Sequence, residues 1–237
     1  MGHDLVWASK LPFFDSLTSL VGGHEHDSLA VYHALSVVLV LSIIFFLGYR
    51  KKSADLVPDG KASIRNFMEV LVEQLLGLME NTLGHEARRF LPLIGTLAVF
   101  ILFCNLLGLV PGCLPPTDNI NTTAACALTV FFFYHYVGIK KHGWRYIKQF
   151  IGPFWPIAPL MFIIEIISHL ARPLSLSLRL FGNITGDHTV LVIFSMLIPL
   201  IVPIAALSLG IFVSVIQSLV FILLSMMYLS GALSEEH

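Results

Sequence analysis

The chain is 237 residues long, 56% apolar and only 12% charged, where a soluble domain carries about twice that charged share. With a mean hydropathy of +0.83 and several long apolar runs, most of the chain has lipid as its solvent, which excludes a soluble globular domain. The formal net charge of −1 is uninformative as a total, because charge in a membrane protein matters by position; no nucleic-acid partner is expected.

Residues 1–29 carry Asp4, Asp15, Glu25 and Asp27 against a single Lys10. They lack a basic start followed by an apolar stretch, so no cleavable signal peptide is expected. The first span is predicted over Ala30 to Tyr49, long enough for a core of about 30 Å at about 1.5 Å per residue. It ends in Arg50-Lys51-Lys52, and the excess of cations on that side predicts an outer N-terminus and a cytoplasmic far end. After the turn residues Pro58, Asp59 and Gly60, residues 64–86 alternate Phe67, Val70, Leu71, Leu75, Leu78 and Met79 with Glu69, Glu73 and Glu80. That pattern predicts an amphipathic helix at the cytoplasmic surface, its apolar face meeting either lipid or protein.

Arg88-Arg89 open the second span, Phe90 to Val110. The loop Pro111 to Thr123 holds Asp118 and no Lys or Arg, so it faces outside. The third span, Ala124 to Ile139, returns to Lys140, Lys141, Arg145 and Lys148, the strongest basic cluster. Residues 30–150 are thus expected to hold three spans, the surface helix and a basic cytoplasmic loop. Beyond Lys148 the only Lys or Arg residues are Arg172 and Arg179, both inside apolar sequence. In residues 151–237, Trp155 to Asp187 and Thr189 to Leu233 are each too long for an upright span of about 20 residues, and Pro173, Pro199 and Pro203 interrupt them. They predict a long tilted helical hairpin with its turn near Asp187-His188 and a cytoplasmic C-terminus. The fold class is all-α, multi-pass and membrane-embedded.

Cys104, Cys113 and Cys126 have no metal-ligand spacing. Cys104 reads as apolar filling, and Cys113 could pair with Cys126 only if both reached the outer surface. His24-Glu25-His26 supplies three candidate ligands and no fourth, so no metal is expected.

The informative pattern lies in the hairpin. On a helix at about 100° per residue, Glu165, His169, Arg172, Arg179, Asn183 and Asp187 fall within about 40° of one direction. The opposite side is mainly Leu, Ile and Phe, with Ser177 and Thr185 as small exceptions. One charge at bilayer depth costs roughly 2.5–3.5 kcal/mol or more, so such a stripe must face water or another protein. Arg172 could pair with Glu165 or His169 and hold the helix. Arg179 has no acidic residue three or four positions away, and Asn183 could orient its guanidinium. Asp187 and His188 could cap an interfacial turn or carry protons. On the last helix, Ser214, Gln217, Ser218 and Ser225 share one side; Gln217 could bond between helices or approach Arg179.

The run Arg172-Pro173-Leu174-Ser175-Leu176-Ser177-Leu178-Arg179-Leu180-Phe181-Gly182-Asn183 resembles the signature of the subunit a family of F-type ATP synthases. Gln217, Met227-Tyr228-Leu229-Ser230 and Glu235-Glu236-His237 resemble its bacterial members, and Asn105-Leu-Leu-Gly-Leu-Val-Pro111 resembles the family's second membrane span. The resemblance implies a non-catalytic, proton-conducting stator subunit of the Fo sector in the bacterial cytoplasmic (inner) membrane, with no cofactor. Its implied partners are the c-ring, subunit b of the peripheral stalk, the rest of the F1Fo complex, lipids and protons. It further implies that Arg179 faces the rotating c-ring, and that Glu165, Asn183, His188 and Gln217 border two offset aqueous half-channels, with Arg172, His169, Ser175 and Asp187 along the same path. Where the family often has a second ionisable group on the last helix, this chain has Gly210; Asp187 is the expected replacement.

Two other classes of function compete. A self-contained channel or secondary transporter would usually show an internal repeat, and none is apparent. A structural anchor would leave the ionisable stripe unexplained.

Overall fold

A computed structural model of the chain describes residues 25–50, 64–110, 113–143, 146, 158–197 and 201–233. Most of the N-terminal segment, Lys51 and Lys52, Trp155, Pro199, His24 and the closing Glu235-Glu236-His237 lie outside the described residues. The described residues form six helices: α1 (Glu25–Arg50), α2 (Ile64–Leu83), α3 (Ala87–Leu107), α4 (Ile120–His142), α5 (Ala158–Leu197) and α6 (Ile201–Leu233). Short 3-10 turns occupy Gly84–Glu86 and Pro116–Asp118. Among the described residues five helical stretches are long and apolar enough to cross a membrane, and the protein is an all-α membrane protein.

α2 folds back on α3. Gly84 takes a positive φ of 58°, which glycine adopts without a Cβ clash, and the chain reverses there. Leu75 then lies against Gly95, and Leu75 and Met79 are buried in the main core. The apolar face of α2 therefore has a protein partner within this chain, while Phe67, Val70 and Leu78 on its other side remain exposed.

The connection from α3 to α4 is not a plain outer loop. Pro116 and Thr117 are buried, and the Thr117 hydroxyl donates to Asn105 Oδ1 at 2.8 Å. Asn119 Oδ1 accepts from the Asn121 N–H at 2.8 Å, an N-cap that satisfies an orphan donor of the first turn. This cap starts α4 at Ile120 rather than at the predicted Ala124.

The expected turn at Asp187-His188 is absent. α5 runs unbroken from Ala158 through both residues to Leu197, and α6 begins at Ile201. Pro173 lies inside α5 without ending it; its missing N–H removes one ladder bond, and the helix continues through it. Leu176, Leu180 and Ile184 on α5 form a buried core with Phe221, Ile222, Met226 and Leu229 on α6 and Ala127, Val130 and Tyr134 on α4. α5 is antiparallel to both neighbours: Arg172 meets Tyr228, Asn183 meets Gln217 and Asp187 meets Gly210.

Candidate functional site

The polar residues of α5 sit along the edge where its packed face turns into an exposed one. Leu176, Leu180 and Ile184 point inward and are almost fully buried, while Leu174 and Leu178 are exposed. Ser175, Arg179, Gly182 and Asn183 lie on the exposed side of that edge. Ser177 and Thr185, expected among the apolar side as exceptions, point into the bundle. The Ser177 and Thr123 hydroxyls are 3.2 Å apart, and Thr185 donates to Asp118.

Toward the start of α5, Glu165 Oε1 is 3.2 Å from His169 Nε2, and His169 Nδ1 is 2.9 Å from the Tyr134 hydroxyl. His135 lies with its ring centre 5.0 Å from that of His169, and its Nδ1 is 2.8 Å from the Tyr146 hydroxyl. Burial holds the Tyr146 phenol above its ordinary range, so that hydroxyl keeps its proton. The guanidinium of Arg172 sits 5.5 Å over the Tyr228 ring. Of the two roles open to Arg172, pairing with Glu165 or His169 is not the one seen: those two pair with each other, and Arg172 takes a cation–π partner.

Arg179 stands apart. It is exposed, and no carboxylate among the described residues forms an ion pair with it. Asn183 does not orient it: Asn183 Nδ2 donates to Gln217 Oε1 at 2.6 Å. Gln217 is 3% exposed and bonds to Asn183, so it holds α6 to α5 rather than touching Arg179. Ser214, Ser218 and Ser225 are buried on the same side of α6, and Ser218 and Ser225 bond back to the carbonyls of Ser214 and Phe221.

Toward the other end of α5, Asp187 and His188 line a cavity of about 20 Å³ with Asn105, Ser214, Gly108, Leu109 and Pro115. About 10–15 Å³ suffices for one water, and polar walls favour it. The Asp187 carboxylate occupies the space over Gly210, where a Cβ would meet Asp187 Oδ2 at 3.1 Å and Leu109 at 2.7 Å. A side chain at position 210 would compete with the carboxylate for that space. Asn105 completes the cluster, its Nδ2 donating to Ser218 at 3.3 Å.

Sequence reasoning missed Tyr134, His135, Tyr146, Asn105, Thr117, Asp118 and Thr123. His135 carried a signal, being a polar group within an apolar span. Thr117 and Asp118 carried none, because a Pro-Thr-Asp sequence reads as an exposed turn.

An all-helical membrane bundle with titratable side chains on both sides of an arginine that no carboxylate among the described residues pairs defines a class of proteins that handle ions at bilayer depth. The ATP synthase A chain family matches residues 30–230, and the chain belongs to that family. It is similar to ATP synthase subunit a of Geobacter sulfurreducens (46% identity) and of Trichlorobacter lovleyi (49%), each over 237 residues and the full length of both chains. It is also 50% identical to ATP synthase subunit a 1 of Syntrophotalea carbinolica over 215 residues, 90% of each chain. The chain is accordingly a membrane subunit of an ATP synthase.

Proposed function

We propose that this chain is the proton-conducting stator subunit of the Fo sector, with Arg179 as the barrier between two proton half-channels. The observation that carries the reading is the position of Arg179 on α5, exposed, without a paired carboxylate among the described residues and between two polar clusters. Glu165 precedes it by about 21 Å and Asp187 follows it by about 12 Å, at about 1.5 Å per residue. The first cluster is the cytoplasmic half-channel and the second, with Asp187, His188 and the water-sized cavity, is the outer one. Asn183 and Gln217 tie α5 to α6 beside the barrier, while Ser175 and Arg172 line the way to the first cluster.

The exposed face of α5, where Leu174, Leu178 and Arg179 lie, is where the c-ring docks. A guanidinium does not deprotonate, so it is a fixed cation at every working pH. Beside an approaching ring carboxylate it favours the ionised form and promotes proton release, and it cannot itself relay a proton. A membrane potential supplies about 2.3 kcal/mol per charge per 100 mV, several times RT. The chain has no catalytic role of its own in this reading; ATP chemistry belongs to the F1 part, held by subunit b of the peripheral stalk.

The N-terminus lies outside and the C-terminus in the cytoplasm of the bacterial inner membrane. The placement of cations supports this orientation. Arg88 and Arg89 begin α3, Lys140 and Lys141 end α4, and the Lys141 Nζ donates to the Leu233 carbonyl at the end of α6 at 2.7 Å. These basic residues share one end of the bundle, as a cytoplasmic face requires.

The test is ATP-driven proton pumping in inverted membrane vesicles, comparing wild type with Arg179→Ala at matched complex assembly. Loss of pumping supports the reading; normal pumping removes Arg179 from the ion path and leaves the chain a scaffold.

A further inference from the structure

The cluster at the basic end of the bundle contains a hydrogen-bonded series in which the proposed ion path gives Tyr134 no task. Tyr134 on α4 is 1% exposed, and its hydroxyl is 2.9 Å from His169 Nδ1 on α5. The other ring nitrogen, Nε2, is 3.2 Å from Glu165 Oε1. An ionised carboxylate only accepts, so His169 Nε2 carries the ring proton and donates it to Glu165. In the neutral ring Nδ1 is then the acceptor for the phenol hydrogen of Tyr134. One nitrogen's partner thereby fixes the role of the other.

The ring has little freedom to turn away. The Tyr134 and His169 rings lie nearly parallel, at 26°, and His135 packs on His169 with its Nδ1 held by Tyr146. Tyr146 itself fits only because position 138 is glycine, where a Cβ would meet its ring at 2.5 Å. Glu165, by contrast, keeps 36% of its side chain exposed. The series thus runs from a rigid buried phenol, through an imidazole of set tautomer, to a carboxylate open at the end of the bundle.

The geometry points to Tyr134 and His169 as positioning residues that hold the Glu165 carboxylate in place to take and release protons at the cytoplasmic mouth. The inference rests on the stator reading above, and it assigns a function to Tyr134, a residue on a helix outside the hairpin. His169 acts as a donor in one fixed orientation and does not itself need to change protonation state. A proton arriving on Glu165 gives the neutral acid, and its loss to water restores the carboxylate.

The experiment measures ATP-driven pumping per assembled complex in inverted vesicles for His169→Leu, His169→Gln and Tyr134→Phe, with Arg179→Ala alongside. His169→Leu removes a hydrogen bond to a charged group and is expected to lower pumping about tenfold or more. His169→Gln keeps an N–H for Glu165 and an oxygen for the Tyr134 hydroxyl, and restores pumping to within about threefold of wild type. Tyr134→Phe keeps the ring and its packing and lowers pumping about threefold, the scale of one neutral hydrogen bond. Wild-type pumping by His169→Leu overturns the inference. So does a Gln variant as poor as Leu, which would mean that the imidazole itself must titrate. If His169→Leu fails to assemble, Tyr134→Phe decides, with wild-type pumping overturning the inference and reduced pumping supporting it. An inactive Arg179→Ala beside a normal His169→Leu removes only the positioning role, whereas normal pumping by Arg179→Ala removes the stator reading.

Discussion

The two faces of α5 use nearly the same residues for opposite ends. Leu176, Leu180 and Ile184 are buried against α4 and α6, while Leu174, Leu178 and Ile167, drawn from the same apolar alphabet, are exposed. In water such a helix would betray its buried side by polarity alone. In a bilayer lipid tails are as apolar as leucine, so hydropathy does not separate the face that holds the bundle together from the face left for a partner. The polar residues do. Inward ones are small and paired, as with Ser177 and Thr123 or Thr185 and Asp118. Among the outward ones, Arg179 is long, charged and without an ion-pair partner among the described residues.

If that contrast is real, substitutions on the packed face should lower the amount of stable complex, and those on the exposed face should lower coupling in complexes that still assemble. Leu180→Ala is the strongest probe of the packed side. Leu180 is 0% exposed, and a cavity there costs about 2–5 kcal/mol; detergent melting of the purified complex should drop while pumping per complex stays near wild type. Arg179→Lys probes the other side. Pumping should fall about a hundredfold, the scale of misplacing one preorganised charge, with melting unchanged, because a lysine loses the planar fork and its proton is less secure on burial.

Gly210→Ala lies between the two faces. Its new Cβ would approach Leu109 and the Asp187 carboxylate, and overpacking costs about 1–3 kcal/mol. Both melting and pumping should decline; a variant that melts lower and pumps normally would separate Asp187 from the ion path. The smallest effect belongs to Thr117→Val, which removes the hydrogen bond to Asn105 for about 1 kcal/mol and should be visible only in melting. A loss of pumping from Thr117→Val would break the comparison, since it would give a packed residue a role in conduction.

Much of this architecture was legible in the residues. Long apolar runs separated by basic clusters foretold the helices, and the improbability of Glu165, His169, Arg172 and Arg179 inside lipid marked α5. What escaped depended on contacts between distant segments. Asp187-His188 reads as a turn because both are polar and lie between two long apolar runs. The absent side chain of Gly210, on another helix, gives the carboxylate a place inside the helical seam, and the turn is not needed there. The early start of α4 depended on Asn119 acting as a cap, and the fold-back of α2 on a positive φ at Gly84. Tyr134 was hidden for a different reason: a tyrosine in an apolar run is ordinary until a histidine 35 positions later closes on it.

One contact acquires weight in mechanical terms. The Lys141 ammonium at the end of α4 grips the Leu233 carbonyl at the end of α6, a cation placed where a helix dipole turns negative. The hairpin is thereby fastened to α4 at the end where the basic residues gather. In the stator reading proposed above, a sideways push on the exposed face of α5 meets α4 and α6 packed together behind it, and the bond that caps a helix helps to hold those two helices as one support.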